Sequence, residues 1–116
     1  MANTLTLNSF ERGEKQFQGA FSEMWFITAT IADQDAVAIG DTAAFAITVP
    51  GVALGDMVIG CSVTVDTTDG TDFATTYVEV SAANTVTFRL NADAGELAAD
   101  SMNNGVVKIA IGRPAW

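Results

Sequence analysis

Six segments of the sequence alternate apolar and polar residues with a period of two, and this pattern constrains the fold more than any other feature. Successive side chains of a strand point to opposite faces, so the alternation predicts strands with one buried face. The segments are residues 25–31, 43–49, 57–65, 75–81, 84–90 and 105–112. They predict an all-β fold, either an antiparallel β-sandwich or a jelly-roll-like small barrel, with an extended N-terminal segment.

Each segment offers one apolar face to a core. The residues that we expect to face inward are Trp25, Ile27, Ala29, Ile31, Ala43, Phe45, Ile47, Val49, Met57, Ile59, Cys61, Val63, Val65, Val78, Val80, Val86, Phe88, Leu90, Val107, Ile109 and Ile111. Cys61 is the only cysteine, so no internal disulfide can form. Its place in an apolar strand pattern predicts a buried structural thiol rather than a reactive one.

The segment VEVSAANTVTFRL (residues 78–90) predicts a hairpin, and its apolar faces select the register. A two-residue loop would pair Val80 with Thr85, whereas a three-residue loop at 82–84 pairs Val80 with Val86 and Val78 with Phe88. We therefore expect the three-residue loop, with Asn84 in a left-handed conformation. Tyr77 then lies across from Arg89, with Glu79 within reach of Arg89 for a weak ion pair.

Residues 1–24 lack clean alternation and differ from the predicted β-sandwich domain at 25–116. They mix charged residues with three spaced aromatics, Phe10, Phe17 and Phe21. One interpretation is a first strand plus loop whose aromatics complete the core. The other is an arm that docks on a partner or on a neighbouring subunit.

The chain is acidic, with a formal net charge of −9. Such a charge repels phosphate backbones, so we expect no binding to nucleic acid. The N-terminal segment lacks the basic and apolar regions of a secretory signal. No apolar run approaches the roughly 20 residues that span a bilayer, so we expect no membrane partner.

No motif predicts catalysis. The chain has no histidine, which removes the commonest general base and metal ligand. The sequence DTTDGTD places Asp66, Asp69 and Asp72 in an oxygen-rich loop of a kind that can hold calcium, but the spacing differs from an EF-hand and is also that of an ordinary solvated turn. We expect no enzyme, no cofactor and no metal site.

Exposed aromatics leave a binding function open. Trp25, Tyr77 and Trp116 are the residues available for stacking on a sugar, although Trp25 lies on an apolar strand face and is expected in the core. Trp116 can either fold back onto the domain or anchor in a neighbouring subunit.

Several runs of the sequence resemble a known group of proteins. The runs ITVPGVALGDMVIG (residues 47–60) and VEVSAANTVTFRLNADAG (residues 78–95), with the final VVKIAIGRP, are similar to small virion proteins of marine tailed bacteriophages. The resemblance covers about residues 43–112. Its motifs are turn and strand signatures, so they concern fold and context more than a site.

The resemblance implies a capsid decoration, or cement, protein or another small head protein. Its expected partners are the major capsid protein and further copies of itself, most often as a trimer, on the outer capsid surface after assembly in the host cytoplasm. The candidate partner-binding residues are Phe10, Phe17, Phe21 and Trp116. The alternative is a host-surface or glycan-binding β module, such as a head fibre or spike component.

Overall fold

The computed structural model describes residues 3–13, 20–64, 75–92 and 96–115, which form two antiparallel sheets packed as a sandwich. The strands are β1 (Thr4–Gly13), β2 (Phe21–Asp33), β3 (Thr42–Thr48), β4 (Met57–Thr64), β5 (Thr75–Ala82), β6 (Thr85–Asn91) and β7 (Val106–Pro114). These ranges contain no helix. The predicted all-β sandwich is confirmed.

The two sheets share the strands unequally. One has four strands in the order β1-β2-β7-β4, and the other has three in the order β3-β6-β5. Every pair of neighbouring strands is antiparallel. Across the sandwich, β1 lies near β3 and β4 lies near β5. The central strands β2, β7 and β6 are therefore the ones covered most completely on their inner faces.

The core follows the predicted alternation in five of the six segments. In β2, Trp25 and Ile27 are 0% and 2% exposed, and in β6 Phe88 is fully buried. The rings of Phe45 and Phe88 meet across the β3–β6 pair with centroids 5.7 Å apart at 50°. A tilted aromatic pair of this kind stabilises the fold beyond the apolar area that it buries.

Strand β4 departs from the prediction. Met57, Ile59 and Cys61 are exposed rather than buried, so the expectation of a buried thiol is wrong. The register of β4 on β7 shifts between Val58 and Gly60, which marks a β-bulge at Ile59. The extra residue breaks the period-two alternation, and β4 is an edge strand that lacks a neighbour on one side. Val65, the last residue of the predicted inward set, lies outside the described residues.

The β5–β6 hairpin has the predicted pairing of apolar faces, but the predicted three-residue loop at 82–84 is wrong. Ala82 belongs to β5 and pairs with Thr85, so the turn consists of Ala83 and Asn84. Val80 pairs with Val86 and Val78 with Phe88, and a bulge lies between Val80 and Ala82. Asn84 takes the left-handed conformation, with φ of 59°. On the outer face Arg89 donates to Glu79 at 2.8 Å, as the register requires. Since both side chains are about one-third exposed, this ion pair contributes little to stability.

The first 24 residues belong to the sheet along much of their length. β1 pairs with β2 from Thr4 to Gly13, and Leu5 and Leu7 pack against the core. Phe21 is the first residue of β2. The domain boundary predicted between residues 24 and 25 therefore falls inside a strand.

A buried amide joins the loops at one end of the sandwich. Gln34 is fully buried, and its Nε2 donates to the carbonyls of Asp35 and Ala98. Its Oε1 accepts from the Met102 backbone NH at 3.0 Å and from the Ser101 hydroxyl at 3.3 Å. Every hydrogen-bonding position of the amide is used, so Gln34 ties the β2–β3 loop to the β6–β7 loop.

Candidate functional site

The outer face of the four-stranded sheet carries a cluster of exposed apolar side chains. Phe26 of β2 is 43% exposed, and Met57 and Ile59 of β4 are 43% and 48% exposed. Phe21 lies beside them, because a Cβ added to Gly112 of β7 would stand 2.5 Å from Phe21 Cδ1 and 2.9 Å from Ile59 Cδ1. We call Phe21, Phe26, Met57 and Ile59 the outer patch.

The strands explain why these side chains face outward. Phe26 stands between buried Trp25 and Ile27, so it points away from the core. The bulge in β4 directs Ile59 over the backbone of Gly112. Any side chain at residue 112 would collide with this arrangement, and glycine leaves the room that Ile59 and Phe21 occupy.

An open depression of about 400 Å³ adjoins the outer patch. Its lining includes Phe26, Gly60, Cys61 and Ala110. Phe26, Ala110 and Gly60 stand side by side across β2, β7 and β4, so a large ring borders two residues with little or no side chain. The depression is therefore a gap beside a protruding aromatic ring. Thr28, Ser62 and Lys108 form the next row and supply polar groups at its margin.

Cys61 gives the depression little reactivity. Although its side chain reaches the surface, the surrounding protein removes enough water to raise the pKa of the thiol. A raised pKa lowers the fraction of thiolate, which is the nucleophilic form. In the described part of the chain, no group of three or more acidic, cysteine or histidine residues could hold a metal ion. What this surface offers is apolar contact area.

Charge is distributed unevenly around this face. Within the described ranges, Lys108 is the only charged side chain on the outward faces of β2, β7 and β4. One described acidic residue borders the outer patch: Glu11 of β1 pairs with Phe26, and both side chains face outward from the sheet. The other described acidic residues lie in the loops and turns, on strand β5 and at inward-facing positions near the ends of β2. They are Glu23, Asp33, Asp35, Asp41, Asp56, Glu79, Glu96 and Asp100. The members of the outer patch are therefore uncharged, with Glu11 and Lys108 near them, on an acidic protein.

A second cluster surrounds Trp25 at one end of the sandwich. The guanidinium carbons of Arg12 and Arg113 stand 5.2 Å and 5.1 Å from the centroid of the indole ring. The indole Nε1 donates to the carbonyl of Pro50 at 3.1 Å. Trp25 is fully buried beneath these groups, so it cannot stack on a ligand. Cation–π contacts of this kind stabilise the fold.

Carboxylates hold both arginines over the indole. Arg113 donates from Nε to Asp56 Oδ1 at 2.9 Å and from Nη2 to the Gly51 carbonyl at 2.8 Å. Arg12 donates to Glu23, and that hydrogen bond lowers the pKa of the Glu23 carboxyl. We interpret the cluster as a structural cap on the core, because its polar groups are directed at one another.

The structure separates the residues predicted to bind a partner. Phe10 lies on β1 opposite Ile27 and is 36% exposed, on the face that the core occupies. Phe21 lies in the outer patch on the opposite face. Phe17, Trp116 and the Asp66–Asp72 loop lie outside the described residues. Phe10 and Phe21 therefore do not form one surface.

Sequence reasoning missed most of the outer patch. Met57 and Ile59 were assigned to the core by their alternation, which the bulge interrupts. Phe26 occupies an outward position of its segment. A large aromatic residue at such a position could have indicated an exposed apolar surface. Tyr77 is 54% exposed on the other sheet, near Arg89.

Comparison with known proteins identifies no relative: no protein-family model, curated protein or solved structure matches the chain. None of the described segments forms a helix with the length and apolarity to cross a bilayer.

Proposed function

We propose that the protein is a non-enzymatic virion structural protein that decorates and stabilises a phage capsid. It binds the major capsid protein on the outer capsid surface as a homo-oligomer, and the sequence resemblance favours a trimer. The observation that carries the proposal is the outer patch, with Phe26, Met57 and Ile59 each more than two-fifths exposed on a chain of net charge −9. Clustered apolar surface of this kind is typical of protein–protein contacts.

The architecture suits repeated, passive contacts. Two sheets with a close-packed apolar core provide a rigid body, and the amide of Gln34 fixes the loops at one end. A small rigid protein can bind a symmetric shell tightly because many weak contacts act together. A high negative charge keeps such a protein soluble before assembly.

A capsid-binding assay tests the proposal. Capsids that lack the protein are mixed with increasing amounts of it and sedimented, and the bound protein is quantified. We expect saturation at a fixed ratio to the major capsid protein and a higher melting temperature of the decorated capsid. Unexpanded procapsids serve as the control, since decoration proteins add to the mature lattice. Binding that rises without saturation would contradict the proposal.

Tyr77 supports a second candidate, a host-surface or glycan-binding module. Its ring is 54% exposed and lies opposite Arg89, an arrangement that can stack on a sugar and donate hydrogen bonds to it. Titration with host polysaccharide, followed by calorimetry, separates the candidates. Saturable heat that Tyr77→Ala abolishes would favour the glycan module over the capsid protein.

A further inference from the structure

We infer that the outer patch and the adjoining depression are the surface through which copies of this chain bind one another. The inference deepens the proposed function, on which its biological role rests, by naming the interface of the homo-oligomer. The occupant of the surface is a second copy of the same chain. Charge and shape each support it.

Charge restricts where two copies can meet. Each carries a formal net charge of −9, so their acidic surfaces repel one another. The outward faces of β2, β7 and β4 carry Lys108 and no carboxylate within the described ranges. Contact centred on β7 and β4 keeps the described carboxylates of both copies out of the centre of the interface, with Glu11 of β1, opposite Phe26, at its edge. A basic partner would be drawn instead to the acidic surfaces.

Shape makes the surface complementary to itself. It places protruding side chains, Phe26 and Ile59, beside a depression of about 400 Å³ whose floor includes Gly60 and Ala110. A protrusion of one copy can enter the depression of the next. A two-fold axis or a closed ring of three copies satisfies this contact for every subunit, because each contributes both parts.

The composition of the surface also matches that of an interface. Aromatic residues and methionine are enriched in the cores of such contacts, and the rims are polar. Phe26, Met57 and Ile59 supply the apolar centre, while Thr28 and Ser62 lie in the adjacent row. Sheets that stack face to face stand about 10 Å apart, a spacing that side chains of this size fill.

A matched pair of variants tests the inference. Ile59→Asp adds a carboxylate to the outer patch, and Ile39→Asp makes the same change at an isoleucine that is 68% exposed in the β2–β3 loop. Sedimentation equilibrium of the full chain measures the dissociation constant of the oligomer. We expect Ile59→Asp to raise it about tenfold or more, and Ile39→Asp to change it less than about twofold.

Salt provides a test that needs no variant. Because the copies share the same sign of charge, sodium chloride screens their repulsion, and the dissociation constant should fall as the salt concentration rises.

Met57→Asp serves as a second variant if Ile59→Asp does not fold, which the fluorescence of buried Trp25 reports. A wild-type protein that stays monomeric at all concentrations, or equal weakening by the two isoleucine variants, would overturn the inference.

The outcomes separate this inference from the proposed function. An oligomer that Ile59→Asp dissociates but that binds no capsid supports the interface and contradicts the decoration role. A monomer that binds capsids in a saturable way, and loses binding through Ile59→Asp, assigns the outer patch to the capsid and refutes self-association.

Discussion

Asn84 shows how one residue stabilises the register of a hairpin. Its φ of 59° closes the β5–β6 turn, and its backbone NH donates to the carbonyl of Val52 at 2.7 Å. Its side-chain Oδ1 accepts from the backbone NH of Gly51 at 2.8 Å. The residue therefore joins the hairpin to the β3–β4 turn as well as shaping its own loop.

Replacing Asn84 separates these two contributions. Asn84→Ala loses the hydrogen bond and strains the left-handed backbone, so we expect a loss of about 2 kcal/mol in the free energy of unfolding. Asn84→Gly relieves the strain and loses the hydrogen bond alone, which costs about 1 kcal/mol. Urea denaturation measures both. Equal losses in the two variants would show that the backbone conformation carries no cost.

The two edge strands of the four-stranded sheet, β1 and β4, direct their apolar residues differently. β1 contributes Leu5 and Leu7 to the core and pairs with β2, while Thr6 between them is exposed. β4 contributes Val58 and Val63 to the core but turns Ile59 outward through its bulge. The bulge thus provides the apolar surface that the proposed interface uses.

Removal of residues 1–13 tests whether β1 is part of the folded domain. We expect the unfolding free energy to fall by about 3 kcal/mol or more, because Leu5 and Leu7 lose their burial and the edge of β2 becomes exposed. Chemical denaturation followed by circular dichroism measures the change. Leu7→Ala should reproduce part of the loss and Thr6→Ala little of it. An unchanged denaturation midpoint would identify β1 as a detachable arm.

Across the whole protein, the placement of the charged residues affects stability and association more than the net charge does. Lys108 is the charged residue on the outer face of β2, β7 and β4 among those described, and Glu11 of β1, opposite Phe26, is the described carboxylate that borders this face. Some of the other carboxylates are structural, since Asp56 and Glu23 hold the arginines over Trp25. Acid therefore has two opposite effects on stability: it weakens overall repulsion, and it removes the ion pair of Glu23 with Arg12.

The ionised carboxylate of Glu23 stabilises the folded protein, and acid removes this contribution. Arg12 lowers the pKa of its carboxyl below the ordinary value of 4.5, so its stabilising contribution is complete above pH 4.5 and disappears as the pH falls through the lowered value. We expect Glu23→Gln to be less stable than wild type at pH 7, with the difference vanishing in stronger acid. Denaturation as a function of pH measures it, and Glu96→Gln controls for net charge. A difference that grows toward acid would contradict this assignment.

Local rules account for much of the fold. The inward faces of five strands were predicted from period-two alternation, because residues such as Phe45 and Phe88 point to the face of the strand opposite that of their chain neighbours. The left-handed conformation of Asn84 was predicted by matching the apolar faces across a hairpin. The hydrogen bonds of the Gln34 amide could not be predicted in this way, since its partners Ala98 and Met102 lie more than 60 residues away in the chain.

Alternation and turn chemistry between near neighbours were sufficient to predict the class of fold, six of its strands and the pairing of apolar faces in one hairpin. The edge position and the bulge of β4 arise from the way the strands pair in the folded protein, and so does the placement of Met57 and Ile59 with Phe26 on one outer face. That outcome depends on how β4 pairs with β7, more than 40 residues later, and on the space above Gly112. Pairing over such separations leaves no periodic mark on either strand.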